Sequence, residues 1–219
     1  MAMRQILTDL ADAYARRARQ PVAIVSVGGV EAARRVKLGE RFDFVVLASD
    51  AIDQLASERR TKPGGRTDLA RSRVAIAVAA GARRPDISSE AAIRDAVLRA
   101  RNVGYSTGPS GAHLARLFER WGMTDAIGSR IVQAPPGIPV GTLVARGEVE
   151  LGFQQLSELK HLPGIDVIGL LPPEIEVVTI FSAAICTASI RDAVTHAWLT
   201  FLTSADADVV KRRHGMEPA

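Results

Sequence analysis

The sequence predicts an α/β fold, and three observations support that prediction. Apolar runs of strand length alternate along the 219 residues with amphipathic patterns of helix length, and the connections are short. Some of the apolar runs are nearly continuous, which is typical of strands covered on both faces and favours a parallel sheet. Hydrophobic residues make up 47% of the chain, enough for one large domain or two small ones.

The first part of the chain opens with a helix, because apolar residues between Ile6 and Tyr14 repeat on one face. Strand and helix patterns then alternate, interrupted by a glycine- and proline-rich loop at residues 62–66. The predicted strands are residues 22–27, 42–48 and 73–79, and the predicted helices are residues 31–38 and 50–59.

The alternation begins again after residue 81, and two strands are predicted to cross between lobes. The crossings at residues 73–79 and 177–185 divide the chain into residues 1–79 with 181–219, and residues 80–180. The further predicted strands are residues 102–105, 131–133, 149–154, 164–170 and 176–185. The further predicted helices are residues 88–101, 112–121, 125–130, 142–146, 191–202 and 205–214.

Composition excludes several classes of protein. The net charge of +4 rests on 24 arginines and 4 lysines, which are scattered, and only 5% of residues are aromatic. We therefore expect no nucleic-acid partner, although a modest positive field favours a small anion. A single cysteine, Cys186, excludes an internal disulfide, and the four histidines are too far apart in sequence to predict a metal site. No cofactor is expected.

Neither a membrane span nor an export signal is predicted. The longest apolar stretch, residues 177–190, is interrupted by Ser and Thr and is shorter than a bilayer requires. The first five residues lack a charged segment followed by an apolar one, so no signal peptide is visible.

The most informative motif runs from Tyr105 to Gly111 and joins a predicted strand to a predicted helix. The first turn of a helix has unpaired N–H groups and positive potential, and glycines allow a ligand to approach the backbone. This pattern predicts an anion-binding helix N-terminus, although an ordinary capped helix has the same composition. The candidate contacts are Ser106, Thr107, Gly108, Ser110 and Gly111.

Two further junctions have the same construction. Gly28, Gly29 and Val30 follow the predicted strand at residues 22–27, and Pro139 and Val140 precede the helix at residues 142–146. Ligands of open α/β sheets bind beyond the carboxyl ends of the strands, so we expect the junctions to converge on one ligand.

Several stretches resemble bacterial extracellular solute-binding proteins of the molybdate-binding-protein-like group, over nearly the whole chain. The resemblance implies a type II periplasmic-binding-protein fold, with two α/β lobes and two hinge strands that close on a ligand in the cleft. It also implies a periplasmic location and an ABC-type membrane permease as partner. The stretches that carry it are residues 27–30, 33–35, 105–111, 152–158 and 213–216.

The resemblance implies five ligand loops, and this chain departs from the family pattern in two of them. The second loop lacks the family's serine, and Gln155 stands where molybdate binders have a tyrosine. A tetrahedral oxyanion needs a dense ring of neutral donors, so we expect an organic carboxylate rather than molybdate. The implied ligand residues are Met3, Arg4, Gly28, Gly29, Val30, Ser106, Thr107, Gly108, Ser110, Gly111, Pro139, Val140, Gln154 and Gln155.

The family pattern also implies a first strand before residues 1–4, and this sequence has no counterpart for it. We expect a swapped or further segment to fill the position between the strands at residues 22–27 and 42–48, because unpaired buried backbone is costly.

Two other functions remain open. The resemblance extends to a periplasmic aconitate isomerase, but the implied loops contain no His, Asp or Glu to move a proton, and His113 fits a surface position. A detached effector-sensing domain of a transcription factor is the third possibility, on fold analogy alone. We therefore expect a receptor without catalytic residues.

Overall fold

The structure is a computed structural model that describes residues 2–135 and 137–219. None of the helices in these ranges combines the length and apolar character needed to cross a bilayer. The helices are α1 (Arg4–Ala18), α2 (Gly29–Lys37), α3 (Ser49–Ser57), α4 (Glu90–Arg99), α5 (Pro109–Arg120), α6 (Thr124–Ile127), α7 (Val140–Ala145), α8 (Leu156–Leu159), α9 (Asp192–Leu202) and α10 (Ala205–Arg213). The strands are β1 (Phe44–Ala48), β2 (Thr67–Ala79), β3 (Val103–Tyr105), β4 (Ile131–Gln133), β5 (Leu151–Gln155), β6 (Ile165–Leu170), β7 (Val178–Ile185) and β8 (Glu217–Pro218).

The chain folds as two compact units. Unit 1 consists of Met1–Ser72 and Thr179–Ala219, and unit 2 consists of Arg73–Val178. The chain leaves unit 1 within β2, after Ser72, and returns within β7, after Val178. The sequence analysis predicted the two crossings after residues 79 and 180.

Unit 1 is built on a sheet with the order β1-β7-β2-β8, in which β1 and β7 are antiparallel. Helices α1 and α9 cover one side through a contact of three aromatic rings, where the Tyr14 ring lies 5.2 Å from Trp198 and 5.1 Å from Phe201. A second cluster joins α2 and α3 to β1, with Val36, Ile52 and Leu47 buried. Apolar residues spaced for one helix face thus bury α1 and α9, as their sequence pattern predicts.

The prediction of a strand at residues 22–27 is wrong, although buried and exposed side chains alternate there as they would in a strand. Val22 and Ile24 contact the core of unit 1, whereas Val25 is 60% exposed. Within residues 2–135 and 137–219, no backbone hydrogen bond joins residues 20–27 to another segment, and β1 pairs with β7 alone. An alternating sequence fixes which side chains are buried, but a strand also needs a hydrogen-bonding neighbour. The expected filling segment is not found among the described residues.

Unit 2 contains a mixed sheet with the order β6-β2-β5-β3-β4. Strands β4, β3 and β5 are parallel, whereas β2 is antiparallel to β5 and to β6. The prediction of a parallel sheet is therefore wrong for β2, because this strand arrives from unit 1 and not through a crossover helix. Helices α4 and α5 cover one face with Ile93, Val97, Leu114 and Phe118, and α7 belongs to a separate apolar cluster.

A polar network in unit 1 connects the C-terminal segment to α1. Asp9 Oδ2 lies 2.8 Å from His214 Nε2 and 2.9 Å from Arg213 Nη2. The hydrogen bond with His214 holds the pKa of Asp9 below its ordinary value of 3.8. A carboxyl group whose pKa is lowered in the folded protein stabilises the fold above its unfolded pKa.

The cysteine of unit 1 is enclosed. Cys186 is 1% exposed, and burial together with the charge of Asp43 raises the pKa of its thiol to about 12. The thiol is therefore neutral at physiological pH.

Replacing Asp9 with Asn should lower the free energy of unfolding at pH 7 by about 1 kcal/mol, because one charge-assisted hydrogen bond at a partly exposed site is lost. The difference from the wild type should disappear as the pH falls below 3.8 and through the folded pKa of Asp9, where the wild-type carboxylate becomes protonated. Urea denaturation at pH 7 and at a series of pH values below 3.8 measures how the difference declines. An equal loss of stability at every pH would contradict the assignment.

Backbone amides of residues 22–27 should exchange with deuterium at rates near those of an unfolded chain, because no acceptor in the described residues holds them. Amides of β7 that pair with β1 should be strongly protected and provide the internal control. Hydrogen exchange followed by mass spectrometry separates the two segments. Protection of residues 22–27 would reveal a neighbouring strand.

Candidate functional site

The carboxyl ends of β3, β4 and β5 lie together at one edge of unit 2. Tyr105, at the end of β3, pairs with Gln133 of β4 and with Phe153 of β5. Parallel strands are about 4.8 Å apart, so the segments after Tyr105 and Gln133 leave the sheet side by side. Strand β5 continues through Gln154 and Gln155, which pair with β2. We call residues 106–111, 134–135, 137–140 and 154–158 the carboxyl edge.

The N-terminus of α5 provides backbone donors at this edge on two buried residues, Ser110, which is 2% exposed, and Gly111. Pro109 occupies the first helical position, and no group in the described residues accepts a hydrogen bond from the N–H of Ser110 or Gly111. The Ser106 hydroxyl accepts from the Gly108 N–H at 3.3 Å and lies 3.3 Å from the Ser110 hydroxyl. Thr107 is exposed beside them. Backbone donors, hydroxyls and positive helix-end potential are thus concentrated in six residues, an arrangement suited to an anion.

Close approach of backbones holds this turn in place. A Cβ atom on Gly111 would lie 1.6 Å from the carbonyl oxygen of Ser106, a distance that no side chain can adopt. Position 111 therefore requires glycine for a steric reason.

A second pair of glycines holds α7 against the strands. Gly104 of β3 and Gly152 of β5 are directly paired, and a Cβ atom on either would lie 3.3 or 3.1 Å from Val140 Cγ1. The N–H of Val140, the first residue of α7, donates to Gln154 Oε1 at 2.7 Å. The side chain of Gln154 thus caps α7, so these two predicted ligand groups bond to each other.

A carboxyl group that the sequence reasoning missed joins this network. Gln154 Nε2 donates to Glu158 Oε2 at 2.7 Å, and Glu158 is partly buried. Burial raises the pKa of the Glu158 carboxyl above its ordinary value, and the positive charge of the chain's N-terminus and the hydrogen bond from Gln154 oppose part of that effect. Glu158 belongs to the stretch 152–158 that carried the family resemblance, and its position just beyond the end of β5 was the signal available.

The remaining predicted ligand residues are distributed over both units. In unit 1, Met3 is buried before α1 and Arg4 begins α1 on the surface. Gly28 precedes α2, Gly29 begins it, and Val30 is 82% exposed. In unit 2, Pro139 precedes α7, and Gln155 is buried within β5. Met1 and Pro136 of the predicted loops lie outside the described residues.

Metal binding has no support in the part of the chain that the structure describes, where no group of three His, Cys, Asp or Glu side chains could hold an ion. His113 lies on α5 and is partly buried, where a surface position was expected. Burial and the charges of Arg116 and Arg120 lower its pKa, which favours the neutral imidazole.

Comparison with protein families and known proteins gives two matches at the level of sequence. A family model described as bacterial extracellular solute-binding protein matches residues 1–217. An aconitate isomerase from a Pseudomonas species is 38% identical over 185 residues, which are 84% of this chain and 70% of that protein.

Solved structures give matches at the level of fold. The Azotobacter vinelandii periplasmic molybdate-binding protein matches with a TM-score of 0.80 at 18% identity. The match covers 98% of this chain and 94% of that protein's chain. AgtB from A. tumefaciens R10, in complex with agropinic acid, matches with a TM-score of 0.76 at 12% identity. The match covers 100% of this chain and 80% of the AgtB chain. At such identities the likeness concerns the fold alone.

Replacing Gly111 with Ala should lower the free energy of unfolding by about 2–3 kcal/mol, because the new Cβ atom forces the Ser106 carbonyl and the α5 turn apart. Replacing Gly128 with Ala is the matched control, since no atom lies within 4 Å of its Cβ position and its φ of −52° suits alanine. Urea denaturation of the two variants measures the difference. Equal stabilities would contradict the tight turn.

Proposed function

The chain belongs to the bacterial extracellular solute-binding protein family, and from that premise we propose that it binds a small organic anion at the carboxyl edge. The resemblance and the fold class predicted from the sequence are both confirmed by the family match and by the solved relatives. The observation that carries the proposal is the N-terminus of α5, where two N–H groups without acceptors in the described residues lie beside three hydroxyl side chains.

The donors at this edge suit a carboxylate. A carboxylate offers two oxygens about 2.2 Å apart, which adjacent backbone N–H groups and a serine hydroxyl can meet together. One helix end contributes only about 0.3–1 kcal/mol to an exposed anion, so the hydroxyls must add to it. The Gln154 side chain is already hydrogen-bonded to Val140 and Glu158. It therefore positions these two residues instead of enclosing a tetrahedral ion.

The nature of the organic acid is proposed from the relative of highest sequence identity cited above. That protein is named for its action on aconitate, an unsaturated tricarboxylate, and its 38% identity extends over 84% of this chain. We favour a di- or tricarboxylate over molybdate for this reason and because the Gln154 amide is already bonded to Val140 and Glu158.

A transport role would follow from this binding. Families of extracellular solute-binding proteins are typically periplasmic, and we propose that location here together with delivery of the ligand to an ABC-type permease. A permease could recognise the loaded form if the ligand shifts the protein between two conformations.

Isomerisation of an unsaturated acid is the second candidate function, and a specific observation favours it. Besides the identity to an aconitate isomerase, the structure places the Glu158 carboxyl beside Gln154, although the loops considered in the sequence contained no acid. A carboxyl with a raised pKa meets the requirement for a proton-transferring group.

Replacing Thr107 with Asp should weaken binding of a tricarboxylate at least tenfold, or about 1.4 kcal/mol, because a like charge is placed at the α5 N-terminus. The fold should be unchanged or slightly stabilised, since an acidic residue is favourable at a helix N-terminus. Isothermal titration calorimetry with citrate and trans-aconitate measures the affinity, and thermal melting measures the stability.

The matched control is Ser88→Asp, which adds the same charge at the residue before the N-cap of α4, as Thr107 is before the N-cap of α5. This variant should bind like the wild type. Equal affinity of all three proteins would exclude the α5 N-terminus, and absence of binding to any di- or tricarboxylate would exclude the proposed ligand class.

A further inference from the structure

We propose that Glu158 is the residue that removes a proton from a bound unsaturated tricarboxylate and returns it at a different carbon. This inference rests on the proposed binding of a polycarboxylate at the carboxyl edge and on the second candidate function. It assigns to one side chain of this protein the acid–base role that an isomerase requires.

The position of Glu158 follows from the strand that precedes it. Phe153 pairs with Tyr105, and β5 continues beside β2 through Gln155, so Glu158 follows the strand at the edge of the sheet where α5 begins. Gln154 then fixes the Glu158 carboxyl through a 2.7 Å hydrogen bond. Because Gln154 is itself held by the Val140 N–H, the carboxyl is aligned by a chain of two hydrogen bonds that starts at the backbone of α7.

The hydrogen-bond partner of Glu158 differs from those of three other acids of unit 2. Glu90 bonds to Arg120 and Trp121, Glu150 bonds to Arg101, and Asp166 bonds to Arg84. A guanidinium partner holds a carboxylate in its charged form and makes it a weak base. Glu158 has a neutral amide as its hydrogen-bond partner and is partly buried. Burial raises the pKa of its carboxyl, and the positive charge of the chain's N-terminus opposes part of that effect.

The proposed step balances without a further reactant. The Glu158 carboxylate takes a proton from the methylene group of the tricarboxylate, and the C–H electron pair spreads over the adjacent double bond and carboxylate. The resulting carboxylic acid gives a proton to the other end of the three-carbon system, and the double bond moves. The product has the same composition as the substrate, and Glu158 ends as a carboxylate.

The α5 N-terminus would assist this step by stabilising charge. Removal of the proton places additional negative charge on the carboxylates of the ligand, and the N–H groups of Ser110 and Gly111 are fixed donors for that charge. Binding and proton transfer would thus use different residues of one edge, which makes them separable by mutation.

The test uses trans-aconitate in D2O with the complete protein. Proton NMR follows the loss of the methylene signal through deuterium incorporation and the appearance of cis-aconitate, and calorimetry measures binding of the same compound. The wild type should bind and catalyse exchange. Glu158→Gln, which can still accept from Gln154, should bind within about threefold of the wild type and catalyse exchange at least 100-fold more slowly.

Two further variants make the test specific. Glu119→Gln removes an exposed carboxyl of α5 and should leave both measurements unchanged. Glu158→Asp keeps the carboxyl on a shorter side chain and should retain part of the exchange rate, which a purely structural role of Glu158 would not predict.

The outcomes separate this inference from the proposed binding. Exchange by Glu158→Gln within threefold of the wild type would overturn the role of Glu158. Binding by the wild type with neither exchange nor isomerisation would overturn it as well and leave a receptor. Absence of binding by the wild type would reject the proposed ligand class together with this inference.

Discussion

The carboxyl edge depends on two glycines that face each other on neighbouring strands. Any side chain at Gly104 or Gly152 would collide with the valines of the segment 140–149, because Cβ atoms there would lie 2.7 Å from Val149 and 2.6 Å from Val144. The absence of two side chains lets α7 approach the sheet closely. This approach brings the Val140 N–H within 2.7 Å of Gln154, and the position of Glu158 follows from it.

Gln154 thereby serves the architecture and the chemistry of the edge at once. Its oxygen satisfies a helix donor that would otherwise be unpaired, and its NH2 group orients a carboxyl group. A glutamine is suited to this position because its amide has both an acceptor and donors. A glutamate there would place a second negative charge beside Glu158, and a leucine would leave both neighbours without this partner.

The sequence predicted the parts of the fold that depend on local pattern, and missed those that depend on partners. The α/β class, the family and most helices are confirmed, because periodicity and capping residues are properties of short stretches. Residues 22–27 have the alternation of a strand without the pairing, and β2 runs antiparallel because its direction is set by the path between units.

The candidate site, like the fold, was predicted from the sequence only where it depends on a local motif. The α5 N-terminus was visible in the order of Ser, Thr, Pro and Gly residues, since its donors come from the motif itself. The pairing of Gln154 with Val140 joins residues 14 positions apart and could not be inferred from either stretch. Glu158 was overlooked for the same reason, because its importance comes from the side chain that holds it.

The enclosed thiol of Cys186 has a practical consequence. With one cysteine in the sequence, 1% exposed and with a pKa raised to about 12, the native protein should be inert to maleimides. A cysteine introduced on the surface would then react quickly with a fluorophore. The slow modification of Cys186 would measure the fraction of molecules in which unit 1 opens. The chain thus provides a background for site-specific labelling without prior removal of its own cysteine.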